Sequence, residues 1–221
     1  MQEKNTISPF VAILAVVASF LLAFFLGAII YVLFGYAFAQ ISVELLLIAV
    51  PLGYMLYKRV SVRNYIRLEM KSRTILLGVV LGGFLFLFNV AISNVLLRIT
   101  GPSEVVEQSN ELIAGLSSSS QGLLLAIVAL SLAGICEEFT FRGFLQTAIN
   151  SKYSLRTALF VSSLLFAILL HPDPRAFYTI SAFLIGLVLG YFYYHWRSYV
   201  VCAAAHATMN LIVLAIILLL V

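Results

Sequence analysis

Charge is what this chain has least of. Only 10% of its 221 residues are Asp, Glu, Lys or Arg, while 63% are hydrophobic. Mean hydropathy is +1.10. A soluble domain cannot carry that much apolar surface, because too few polar residues remain to cover it. The composition therefore leaves a polytopic membrane protein, with one membrane domain filling residues 1–221. The net charge of +4 is no nucleic-acid signature, because the basic residues cluster in one loop beside the membrane, and no nucleic-acid partner is expected. Cysteine is also scarce. Cys136 and Cys202 are too few for a disulfide framework, and both lie in apolar runs as small buried hydrophobes.

A bilayer core takes about 20 apolar residues per helix. The runs near 10–35, 42–57, 74–97, 122–148, 157–171, 177–195 and 199–220 predict an all-α transmembrane bundle of about seven helices. The second and fifth runs are short and fit partial or tilted elements. The first apolar stretch is too long for a signal-peptide core and lacks a small-residue cleavage site, so it reads as a retained span. The loop after the second run carries Lys58, Arg59, Arg63, Arg67, Lys71 and Arg73. The loop after the third carries none of these, but has Glu104, Glu107 and Glu111. The positive-inside rule puts the first loop in the cytoplasm, together with the N-terminus, Lys152, Arg156 and Arg197, in a multi-pass protein of the cell membrane. The segment "EVVEQSNELIAGL" predicts an amphipathic helix on the outer face, with Val105, Leu112 and Leu116 on one side. Ser117–Ser120 reads as a short flexible linker.

Against this apolar background a few ionisable groups stand inside spans, where they are expensive and normally face a cavity or a partner. Glu137, Glu138 and Arg142 lie on the fourth run, His171 ends the fifth, and His206 and Asn210 lie on the seventh. Glu138 and Arg142 are four apart and share a helix face, which predicts an ion pair. Glu137 points about 100° away and is left free. His206 and Asn210 also share a face. Counted at about 1.5 Å per residue, Glu137 and His171 lie roughly 20 Å from the cytoplasmic end, and His206 about 10–12 Å.

A carboxylate, two imidazoles and a carboxamide at similar depth can activate water and donate to an oxyanion. Glu137, His171 and His206 could equally hold a divalent metal such as zinc. Each group alone has a plainer use: a buried Glu–Arg pair can fix packing, and His or Asn can join helices. An uncommitted Glu137 with two histidines is harder to spend on packing. His195 reads as part of an interfacial belt with Tyr191, Tyr193, Tyr194 and Trp196, and Glu44 as a solvated residue near an outer helix end.

Three kinds of intramembrane protease are excluded by what is missing. There is no HExxH; the one aspartate, Asp173, lies in a loop; and the only "GLSS" lies in the polar outer segment. The remaining pattern is Glu137-Glu138-Phe139-Thr140-Phe141-Arg142, then a Phe-and-His motif ending at His171, then His206-Ala207-Thr208-Met209-Asn210. It resembles the CPBP family, intramembrane proteases related to the CAAX prenyl endopeptidase and to bacterial Abi proteins. "FRGFLQ" and "GLVLGYFYYHW" are similar to the family as well, and the likeness covers about residues 125–214. The family's second motif has Phe four residues before His. Here that position is Ala167, and Phe166 stands one earlier, turned by about 100°.

The resemblance implies that Glu137 and His171 activate water, that His206 and Asn210 stabilise the oxyanion, and that Glu138 and Arg142 support Glu137. It implies an endopeptidase acting on a membrane protein or lipidated peptide within the lipid bilayer. The rivals are a non-proteolytic immunity or binding membrane protein and an ion-coupled transporter using the same groups as a relay.

Overall fold

The computed structural model describes residues 6–220, so the N-terminus placed in the cytoplasm above lies outside the described residues. Helix α1 (Pro9–Phe34) is followed by α2 (Tyr36–Tyr57), a short α3 (Val62–Tyr65), α4 (Ser72–Thr100), α5 (Glu104–Leu116) and α6 (Ser120–Glu138). The chain then continues as a π-helix (Phe139–Gln146) into α7 (Thr147–Asn150), and ends with α8 (Leu155–Leu170), α9 (Phe177–Trp196) and α10 (Tyr199–Leu220). Six stretches are long and apolar enough to cross a membrane, with α6, the π-helix and α7 counting as one. The seventh expected run, α8, is shorter at 16 residues. At about 1.5 Å per residue it spans roughly 24 Å, less than a bilayer core of about 30 Å. The bundle is inverted relative to a soluble protein: Phe24, Phe25, Val32, Leu76 and Leu87 point outward, while Glu44, Glu137, Glu138 and Arg142 lie within.

Local chemistry explains several boundaries that hydropathy misplaces. The second helix starts at Tyr36 rather than near 42, because only Gly35 separates it from α1. Gly35 has φ +84°, a conformation that glycine adopts without steric cost, so one residue turns the chain between antiparallel spans. The serine run is no flexible linker: the Ser119 hydroxyl accepts from the Gly122 N–H at 3.1 Å and caps α6. Ser154 caps α8 in the same way, through the Thr157 N–H.

Pro51 inside α2 cannot donate to the Leu47 carbonyl. The buried Thr140 hydroxyl of the π-helix donates to that carbonyl instead, at 3.2 Å, so the proline's defect becomes a tie between two helices. Two further ties join the π-helix to α9. Arg142 donates to the Gly186 carbonyl at 3.3 Å, and Gln146 to the Gly190 carbonyl at 2.9 Å. All eight residues of the π-helix are buried.

Helix α10 runs antiparallel to α6, with Asn210 beside Leu130 and Ala207 beside Gly134. A Cβ on Gly134 would overlap the Ala207 backbone, so this approach requires glycine. The Tyr199 hydroxyl donates to the Ile135 carbonyl at 2.8 Å, so α10 starts well inside the end of the α6–α7 span. The basic segments meet at one end of the bundle, where the Tyr199 N–H bonds the Arg67 carbonyl. Gly134→Ala is therefore expected to cost about 1–3 kcal/mol of overpacking and to lower the melting temperature in detergent. Gly83→Ala, at a position with open space around it, should leave that temperature unchanged.

Candidate functional site

The α6–α10 register carries Glu137 and Glu138 to His206. Glu138 Oε1 lies 3.0 Å from His206 Nδ1 and 2.9 Å from Arg142 Nη1, with both Glu138 and Arg142 fully buried. The expected Glu138–Arg142 pair is present, but the span between them is π-helical rather than the continuous α-helix the apolar run suggested. A π-segment inside a helix has no simple sequence signature, and such segments are frequent at functional sites. His206 Nε2 lies 3.7 Å from Glu137 Oε2, too far for a hydrogen bond, and that oxygen has no protein partner. Two adjacent carboxylates thus flank one imidazole, one committed to it and one free.

His206 lies closer to Glu137 than the depth count suggested, because α10 begins partway along its neighbour. His171 is the residue at which α8 stops. Its ring packs edge-on against Phe166 at 4.8 Å and Tyr178 at 4.7 Å between centroids. Phe166 also meets His206 at 6.1 Å and carries the Arg142 guanidinium 4.4 Å over its face. The aromatic that looked displaced in the sequence therefore stands between the two histidines and the arginine.

The loop after His171 is clamped. The Thr179 hydroxyl donates to the His171 carbonyl at 2.7 Å, while Asp173 accepts from the N–H groups of Arg175 and Tyr178, each at 2.9 Å. Burial works to raise the Asp173 carboxyl, but these hydrogen bonds and the Arg175 charge hold it below its usual range. Arg175 reaches on to Glu104 at 2.7 Å and to the Pro102 carbonyl, pinning the start of α5.

A cavity of about 260 Å³ collects Glu137, His171, His206 and Asn210 in its wall, so the four groups singled out from sequence share one space. Asn210 has spent one amide N–H on the Leu130 carbonyl at 3.2 Å and keeps the other. Val106, Ser109, Asn110 and Ile113 of α5 close the outer side of this cavity. The amphipathic helix expected there forms, but Leu112 is exposed and Ile113 takes the inward face.

Other expectations are corrected. Glu44 is not solvated but 2% exposed, in the wall of a second cavity. Tyr193 is no part of an interfacial belt: it is buried, with its hydroxyl 2.9 Å from that of Thr147, whereas Tyr191, Tyr194, His195 and Trp196 are exposed. Among the described residues no three His, Cys, Asp or Glu side chains come together in a way that could hold a metal. His206 Nδ1 is occupied by Glu138. That contact leaves Nε2 open, but Glu137, His171 and His206 are not gathered into a three-ligand set as arranged.

Residues 119–212 match a family model described as Type II CAAX prenyl endopeptidase Rce1-like. The matched stretch contains Glu137, Glu138, Arg142, His171, His206 and Asn210. No curated protein and no solved structure matches the chain.

Removing one partner of a buried ion pair costs far more than replacing both. Arg142→Met is expected to destabilise by about 3–5 kcal/mol in denaturant titrations in detergent. Glu138→Gln/Arg142→Met should recover much of that loss, and additive effects of the two changes would show that the pair does not couple.

Proposed function

We propose, from the match of residues 119–212 to the Type II CAAX prenyl endopeptidase Rce1-like family model, that Glu137 and His171 activate water for attack on a peptide bond in the bilayer. At the family level the activity is that of an intramembrane CAAX-type endopeptidase on membrane-associated substrates. The observation that carries the finer reading is the shared cavity with its free Glu137 oxygen. A carboxylate oxygen without a protein partner can take a proton from water, and His171 across the same cavity can hold that water in line.

His206 has its protonation pattern constrained by its partner. Ionised Glu138 can only accept, so His206 Nδ1 carries the proton of that bond. Nε2 then faces Glu137 as a bare acceptor in neutral imidazole, or as an N–H donor in imidazolium. Oxyanion stabilisation through Nε2 requires the imidazolium, with the Glu137 and Glu138 carboxylates on either side of the ring. Asn210 supplies the second donor through its unspent N–H.

When the tetrahedral intermediate collapses, the C–N bond breaks and the proton taken up by Glu137 passes to the leaving amine. Glu138 and Arg142 are positioning residues in this scheme, as is Phe166 between the rings. The positive-inside rule sets the basic end of the bundle in the cytoplasm, within the cell membrane.

Glu137→Gln and His171→Ala are each expected to lower kcat by about 10²–10⁴-fold without unfolding the protein. Protein termini compared between cells making wild type and Glu137→Ala should include some generated only by the wild type, and these name the substrate. Identical termini, with the phenotype kept by the variant, would favour the non-proteolytic binding protein. Activity is expected to survive prolonged chelation. A loss restored by zinc would instead give Glu137, His171 and His206 a ligand role.

A further inference from the structure

Glu44 is a buried carboxylate that the reaction above does not use. Its Oε1 accepts from Gln40 Nε2 at 3.2 Å, and its Oε2 has no protein partner although the residue is 2% exposed. It lines a cavity of about 440 Å³ between α2, α5 and α6. Glu137 and His171 stand in the wall of this cavity and of the smaller one alike, so an occupant of the larger lies beside the reacting groups.

The polar groups of this larger cavity are biased toward acceptance. An ionised carboxylate only accepts, and Gln40, with its NH2 turned to Glu44, presents its carbonyl oxygen. The Tyr36 hydroxyl can accept as well. Among the described lining residues there is no Lys or Arg. The remaining wall is largely apolar, with Leu47, Ala126, Ala129 and Leu130. Apolar walls ending in acceptors match a side chain with a methylene stem and a donor-only head, which is lysine or arginine. A buried carboxylate without a cation is costly, and a cation brought by the substrate offsets that cost.

We propose that this cavity is a specificity pocket for a Lys or Arg side chain flanking the bond to be cut, with Glu44 as its counter-ion. Gln40 acts by orienting Glu44. The pocket deepens the hydrolytic reading and rests on it for the position of the cleaved bond.

The test uses the full chain in detergent micelles and a labelled membrane peptide scanned with lysine, each position matched by its norleucine isostere. Binding is read by anisotropy and cleavage by mass. At one position the lysine peptide is expected to bind about ten-fold more tightly than its isostere, with Glu44→Gln reducing that ratio to within about two-fold of unity. The same ratio in both proteins overturns the proposal. So does the absence of lysine preference at every position in wild type, a result that stands even if Glu44→Gln does not fold. Lysine-selective binding that needs Glu44, with no peptide cut, would keep the pocket and sink the hydrolytic reading. Cleavage without lysine selectivity would do the reverse.

Discussion

A carboxylate with no exposed surface among apolar helices must be neutralised where it stands, and Glu138 is neutralised from two directions by Arg142 and His206. Burying such charges costs several kcal/mol per ion unless the remaining polar atoms are also met. Arg142 meets part of that demand by donating to the Gly186 carbonyl and lying over Phe166. The pair therefore joins α6 and the π-helix to α8, α9 and α10 at once. The same contact turns His206 so that its second nitrogen looks toward Glu137.

Lipid offers no hydrogen bonds, so each departure from regular helix here is answered from inside the bundle. Thr140 answers the carbonyl freed by Pro51. Gln146 and Arg142, four apart, use glycine carbonyls four apart on α9. This meshing gives a physical reason for "FRGFLQ" and "GLVLGYFYYHW" to occur together: one segment supplies the long donors, the other the carbonyls that no side chain covers. The close contact of α6 with α10 at Gly134 then fixes the height at which the histidine meets the carboxylates.

Much of this was legible in the sequence because membranes make polar residues conspicuous. The apolar runs marked the spans, and the few charges within them marked the six residues around the smaller cavity and its ion pair. Spacing gave the Glu138–Arg142 pair directly. What spacing could not give was tertiary. The π-helix changes which residues align after Phe139, and hydropathy does not register it. Glu44 looked terminal because the start of α2 was placed six residues late, past the Gly35 turn. Phe166 looked misplaced on an ideal helix wheel, yet its ring reaches both histidines because they come from different elements.

The shortness of α8 bears on the bilayer as well as on the protein. Phe160 and Ile168 leave its outer side apolar and exposed over most of its length. A span several ångströms too short is matched by locally thinned lipid rather than by stretched protein. Thinning of that kind would fall where α8 stops, at His171. It would bring water and headgroups nearer the imidazole on that flank. Hydration of the cavity would then depend in part on the surrounding lipid, and acyl-chain length would become a variable of the chemistry.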